Sequence, residues 1–187
     1  MVGEIARFLL NVLFTLFGTA LLLRVWMQAA RMPRHNPISN VIFQVTNWLV
    51  LPLQYALRPR RGIDWASIVA ALLASLVYVM LRAAMEGRDP FTITPLLIVV
   101  ALLVVVKWAL NLIIWLTILL ALLSWLNPFS PAMPVLHQLT APFLNPLRRI
   151  LPRTSGIDLS PLIVFVIGQI LLMIVARAVM SFGLFGM

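Results

Sequence analysis

The chain has 187 residues, 63% of them hydrophobic and only 10% charged, with a mean hydropathy of +1.06. Soluble domains carry roughly 25% charged residues, so a water-soluble globule is excluded; the absence of cysteine excludes disulfides, thiolate metal sites and cysteine nucleophiles. Fourteen basic residues stand against five acidic ones, a net charge of +9, and all of the basic ones except Lys107 are arginine. They fall between apolar segments, so their expected partners are anionic lipid headgroups and not nucleic acid.

A bilayer core of ~30 Å needs about 20 mostly apolar residues as helix. Four segments qualify: Ile5–Ala30, Trp65–Ala84, Leu96–Leu126 and Leu159–Phe182. At that depth the backbone must satisfy its own polar groups, which makes helix the expected state of each. The first apolar stretch is longer than a secretory h-region and lacks a small-x-small cleavage site, so it reads as a retained span. It carries Arg24 near its end, and Asn11 and Thr15, which with Gln169 of the fourth span suit interhelical hydrogen bonds.

In the connector Met32–Asp64, Val41, Ile42, Val45, Leu49 and Leu53 recur at helical spacing with Gln44, Asn47 and Gln54 opposite. This predicts an amphipathic helix lying in the membrane interface and broken at Pro52. The third span is 31 residues long, about 46 Å as helix. It is either strongly tilted or begins with a segment, Leu96–Val106, outside the bilayer. Lys107 accordingly either snorkels at a membrane face or lies near the midplane, with Asn111 one turn further on. The connector Asn127–Asp158 repeats the earlier pattern. Val135, Leu136, Leu139, Phe143 and Leu147 form its stripe, Gln138, Asn145 and Arg148 lie opposite, and Pro146 interrupts it.

The two connectors match without a gap. Pro37 aligns with Pro131, Val41 with Val135, Gln44 with Gln138, Thr46 with Thr140, Pro52 with Pro146, Leu57 with Leu151, and Gly62-Ile63-Asp64 with Gly156-Ile157-Asp158. The chain is therefore a tandem duplication of span, interfacial helix and span, dividing into residues 1–90 and 91–187. An even number of spans separates corresponding elements, which gives parallel repeats related by an axis along the membrane normal. Both connectors then share a side, with Arg31, Arg34, Arg58, Arg60, Arg61, Arg148, Arg149 and Arg153 on it. The positive-inside rule places that side in the cytoplasm and both termini outside. The expected fold is an all-α integral membrane protein with four transmembrane helices in two parallel repeats, each with an amphipathic interfacial connector helix.

Gly62 and Asp64, and Gly156 and Asp158, stand just before spans. Glycine suits the turn, Asp suits an N-cap at the positive helix end, and Pro161 suits a first turn in which its missing N–H is not needed. The alternative is a duplicated acidic pair facing a cation path. Arg58, Arg60, Arg61, Arg148, Arg149 and Arg153 set topology, touch anionic lipid, pair with Asp64 or Asp158, or dock a protein partner. Lys107, Asn111 and Gln169 are the candidates for an ion path. His35 and His137, without cysteine and with few carboxylates, do not make a metal or haem site, so neither metal nor cofactor is expected. No catalytic triad order or phosphate-binding glycine motif occurs, and the chain does not read as an enzyme.

The run Thr140-Ala-Pro-Phe-Leu-Asn-Pro-Leu-Arg-Arg-Ile-Leu-Pro, followed by Gly156-Ile-Asp-Leu-Ser-Pro161, resembles the signature of the YggT (YlmG) family of bacterial and plastid membrane proteins. The motif positions are Thr46, Pro52, Gly62 and Asp64 in the first copy, and Thr140, Pro142, Pro146, Gly156, Asp158, Ser160 and Pro161 in the second. The first copy is degenerate, with Trp48 in place of Pro142, Gln54-Tyr55 in place of Arg148-Arg149, and Ser67 in place of Pro161. The resemblance implies a multi-pass protein of the bacterial inner membrane with no established enzymatic activity. Members are associated with cell division or shape, with osmotic or ionic stress, and in plastids with cytochrome assembly and nucleoid distribution. Single-repeat members imply that two halves pair. The function expected is a scaffold whose arginine-rich face contacts lipid and an unidentified membrane or cytoplasmic partner. An ion-transport path between the repeats and an assembly factor for a membrane complex are the alternatives, and a homo-oligomer is compatible with each.

Overall fold

The computed structural model describes residues 1–32, 37–57, 64–87, 94–150 and 158–182. Arg34, His35, Arg58, Arg60, Arg61, Gly62, Ile63, Leu151, Arg153, Gly156 and Ile157 lie outside the described residues. The described chain is all helix: α1 (Val2–Ala29), α2 (Pro37–Ala56), α3 (Trp65–Met85), α4 (Thr94–Leu126), α5 (Met133–Ile150) and α6 (Ser160–Ser181). Four of these, α1, α3, α4 and α6, are long and apolar enough to cross a membrane, and α2 and α5 are the connector helices. Outward-pointing side chains such as Phe8, Leu13, Leu16, Trp115, Leu162, Ile170 and Met173 are exposed, as lipid-facing residues are. The protein is thus a membrane protein built from two copies of span, connector helix and span.

In space the chain forms two compact units, Met1–Ala109 with Ile174–Met187, and Leu110–Met173. The division passes through α4 and α6 and not through the repeat boundary at 90/91. The third apolar segment is one unbroken helix of 33 residues.

In the first unit, α1 packs on α3 and both pack on α2. The side that α3 buries is made largely of small residues, Ala66, Ser67, Ala70, Ala71, Ala74 and Ser75, with Tyr78, Val79 and Ala83. Lipid offers no hydrophobic drive for helices to associate, so close approach over small side chains supplies the contact. Trp108 of α4 is fully buried and fills the space above Gly18 of α1; a Cβ at Gly18 would lie 2.1 Å from the indole ring. The ring also meets Tyr78 at 6.2 Å between centroids, and Tyr78 meets Phe14 at 5.5 Å. α1 ends in a Schellman turn, with Met32 N–H donating to the Met27 carbonyl and Arg31 N–H to that of Gln28. Arg31 holds φ 54 there, in the place glycine usually takes.

In the second unit, Gly168 of α6 plays the same part toward α4, where a Cβ would lie 2.7 Å from Ile114. Leu116, Leu120, Leu136, Leu139, Leu144 and Val164 are buried.

Two features of the connectors differ from the sequence-based expectation. Helix continues through Pro52 in α2 and Pro146 in α5, where breaks were expected, and through Pro142 as well. Each proline removes one backbone bond and crowds the preceding turn; buried packing on the same turns, Thr46 and Val50 in α2 and Thr140 and Leu144 in α5, holds the helix together. The second difference concerns which face of α2 is inward. Val41 of the expected buried stripe is 58% exposed, whereas its counterpart Val135 in α5 is 9% exposed. In α2 the inward face is mixed: Val50 is fully buried and Leu49 and Leu53 pack on the core, Thr46 is fully buried beside them, and Asn47 and Gln54 reach interior partners. Only Gln44 of the expected polar face is exposed. A buried charge, described below, draws these polar groups in among the apolar ones.

The Gly18–Trp108 contact leaves no room for growth. Gly18→Ala is expected to cost about 1–3 kcal/mol through overpacking, lowering the thermal unfolding midpoint in detergent, and Gly18→Ala combined with Trp108→Leu is expected to regain part of that loss.

Candidate functional site

The polar centre of the first unit lies where α1 ends and α3 begins. Arg24 of α1 is 3% exposed and Asp64, the N-cap of α3, is 1% exposed. Arg24 Nε donates to Asp64 Oδ2 at 3.3 Å, and its Nη1 donates to Thr46 Oγ1 at 2.9 Å and to Asn47 Oδ1 at 2.8 Å. The guanidinium carbon lies 4.6 Å from the centroid of the Phe43 ring, a cation–π contact. Thr46 passes its own proton to the Ile42 carbonyl at 2.7 Å, which leaves the hydroxyl oxygen free to accept from arginine. Asp64 accepts from Ser67 N–H at 3.2 Å, from Ser67 Oγ at 2.7 Å and from Gln54 Nε2 at 3.3 Å. One ion pair thus ties together α1, α2 and α3.

The second unit builds its counterpart differently. α4 carries no arginine, and the cation comes from the connector. Arg148 Nε and Nη2 both reach Asp158 Oδ2, at 2.8 and 2.6 Å. Asp158 lies two residues before α6 and accepts from Ser160 N–H at 3.0 Å, so it organises the turn into the helix, with Pro161 following in the first turn. This pair is about half exposed where the first is sealed. Partial burial pushes the Asp158 carboxyl up, but hydrogen bonds from Ser160 and the Arg148 guanidinium outweigh it and hold the group below its ordinary 3.8. Arg148 aligns with Gln54, and both donate to the aspartate of their own repeat. The contact is kept in both copies while the charge is supplied from α1 in one and from α5 in the other. Both carboxylates are engaged by an arginine of their own unit, so neither is an open ligand for a passing cation.

Of the other residues singled out in the sequence, Thr140 is buried and bonds the Leu136 carbonyl at 2.7 Å, as Thr46 bonds that of Ile42. Pro142, Pro146 and Arg149 border a shallow cleft on α5 together with Ala141, Asn145 and Ile150. The ion-path candidates separate. Lys107 lines a cavity of about 280 Å³ in the first unit with Arg7, Asn11, Tyr78 and Arg82. Asn111 lies one turn further along the same helix as Lys107, whereas Gln169 is exposed on α6. Asn11 accepts from the Tyr78 hydroxyl at 3.1 Å, bridging α1 and α3. Arg24 was visible in the sequence only as a charge near a span end. A charge in a span paired with a helix-capping aspartate in the same repeat is the signal that marks it.

Removing one partner of the sealed pair strands a buried charge, so Asp64→Asn or Arg24→Leu is expected to cost about 3–5 kcal/mol. Adding Gln54→Arg to Arg24→Leu recreates the arrangement of the second repeat and is expected to recover part of the loss, measured by thermal unfolding in detergent. The Asp158 pair has its own pH signature. Because the folded carboxyl titrates below the unfolded one, its contribution is fully present above pH 3.8 and is lost as the pH falls through the lowered value. Asp158→Asn is expected to flatten the stability profile in that acidic window and to leave its shape near neutrality unchanged.

The sequence profile of the CCB3/YggT family matches residues 3–85 and again 99–181, once in each repeat. The chain is 34% identical to the YggT protein of Escherichia coli over 177 residues, covering 94% of this chain and 92% of the relative. It is 35% identical to a Vibrio alginolyticus protein over 162 residues, covering 85% and 86%, and 30% identical to a Haemophilus influenzae protein over 156 residues, covering 83% and 82%. No solved structure matches the chain. With two tandem matches and relatives that align over most of their length, this chain belongs to the CCB3/YggT family.

Proposed function

We propose that the protein is a non-enzymatic scaffold of the bacterial inner membrane, with its connectors in the cytoplasm and both termini outside, docking anionic lipid and a protein of the envelope or division machinery. The observation that carries this reading is α5. Its apolar side, Val135, Leu136, Leu139 and Leu144, is seated in the second unit. Its other side presents Gln138, Asn145 and Arg149 outward, and Arg148 is held in place by Asp158. Prolines 142 and 146 stiffen the rim of the cleft beside Arg149. A helix immobilised on one side, with planar guanidinium groups on the other, suits recognition of carboxylate or phosphate groups. The exposure of Gln169 on α6 favours this reading over a transport path, which requires its polar groups to be enclosed.

A photo-crosslinking residue at position 145 in living cells is expected to capture a discrete protein partner, and Arg148→Glu with Arg149→Glu is expected to reduce that adduct at least fivefold with the protein still in the membrane. Lipid adducts alone would sink the docking model.

A further inference from the structure

At the opposite end of the first unit from the Arg24–Asp64 pair lies the cavity that contains Lys107. The start of α1 contributes Arg7, Phe8 and Asn11, the end of α3 Tyr78 and Arg82, the middle of α4 Val104, Lys107 and Trp108, and the end of α6 Ala176, Val179 and Met180. Its charge is one-sided. Arg7, Arg82 and Lys107 line it, and Glu86 stands 3.7 Å from Arg82. Among these four described groups the positive charges are in excess by two. Arg7 spends one Nη on the Met85 carbonyl at 3.4 Å, while its Nε is buried without a hydrogen-bond partner. A buried donor lacking an acceptor costs free energy unless a ligand supplies one.

The depth is right for a phosphate. α1 has 28 residues, about 42 Å of helix against a ~30 Å core, which leaves about 6 Å at either end. Arg7, five residues into α1, therefore stands near the boundary of hydrocarbon and headgroups. The lining combines polar Arg7, Asn11, Arg82 and Lys107 with apolar Phe8, Val104, Val179 and Met180. This combination suits an anion attached to an apolar body. The volume, about 280 Å³, lies at the lower end of ligand pockets.

We propose that this cavity binds a phosphate group, either the headgroup of an anionic phospholipid or a free phosphate, with Arg7, Arg82 and Lys107 as its cationic contacts. The site is independent of the docking role of α5, and its ligand enters from the face that carries the termini.

The test uses the full chain in detergent, followed by thermal unfolding and by the fluorescence of its tryptophans, with Trp108 in the cavity wall. Inorganic phosphate, a short-chain phosphatidylglycerol and a short-chain phosphatidylcholine are titrated separately. Saturating ligand is expected to raise the unfolding midpoint by roughly 5–10 °C, and Lys107→Met is expected to weaken the apparent Kd at least tenfold. Protection by phosphate alone identifies the free anion, and protection by phosphatidylglycerol alone identifies the headgroup; either supports the site. If Lys107→Met does not fold, Arg7→Gln serves in its place with the same expected loss. Absence of protection by both anions overturns the proposal. So does equal protection by phosphatidylcholine, or protection that survives Lys107→Met and Arg7→Gln but is lost in Arg148→Gln.

Discussion

A guanidinium near the end of a membrane span has three outcomes open to it: it reaches water, it recruits an anion, or the helix leaves the bilayer. Arg24 takes the second, and the geometry of the first unit follows. Its partner is the residue that opens α3, so the pair sets where α1 ends relative to where α3 begins. Its remaining N–H groups require acceptors, and α2 supplies them from Thr46 and Asn47. That requirement draws Thr46 and Asn47 inward beside Val50, Leu49 and Leu53, and leaves Val41 and Val45 facing out. A helix that looks conventionally amphipathic in sequence is thereby seated with polar groups inside alongside part of its apolar stripe, because the low dielectric around a buried ion pair rewards full hydrogen bonding more than the burial of two valines.

The second repeat shows the same problem solved at lower cost. Arg148 reaches Asp158 from the connector itself, leaves both groups half exposed, and avoids most of the desolvation that sealing an ion pair entails. α5 is then free to bury its apolar stripe. The duplication has kept the aspartate before the span and the donor at position 54 or 148, and has moved the positive charge. One copy has become a rigid internal lock. The other keeps its arginine at the surface, where it can meet something else.

Much of this was legible in the residues. Apolar length marked the four spans, and the paired Pro, Thr, Gly and Asp positions marked the duplication, because both are local patterns. The continuity of helix through Pro52, Pro142 and Pro146 was not legible, since the cost of a proline is local while the packing that offsets it comes from other helices. The inward face of α2 was hidden for a related reason. Periodicity separates polar from apolar faces, but the inward turn of Thr46, Asn47 and Gln54 depends on the Arg24–Asp64 pair, whose groups come from different helices. Lys107 likewise had no charged neighbour along α4, and the ends of α1 and α3 bring Arg7 and Arg82 into the cavity with it.

The passage of α4 and α6 through both compact units has a consequence for biosynthesis. The first unit holds residues 1–109 together with 174–187, whereas the second is formed from the continuous stretch 110–173. A ribosome delivers α1, α2 and α3 early, yet the unit they belong to stays incomplete until the last turns of α6 emerge. The second unit, though begun later, has all its chain available first. Closing the first unit therefore joins α1 and the end of α6, segments far apart in sequence, in a long-range step that comes late in folding. Trimming the C-terminal end strikes the N-terminal half of the protein.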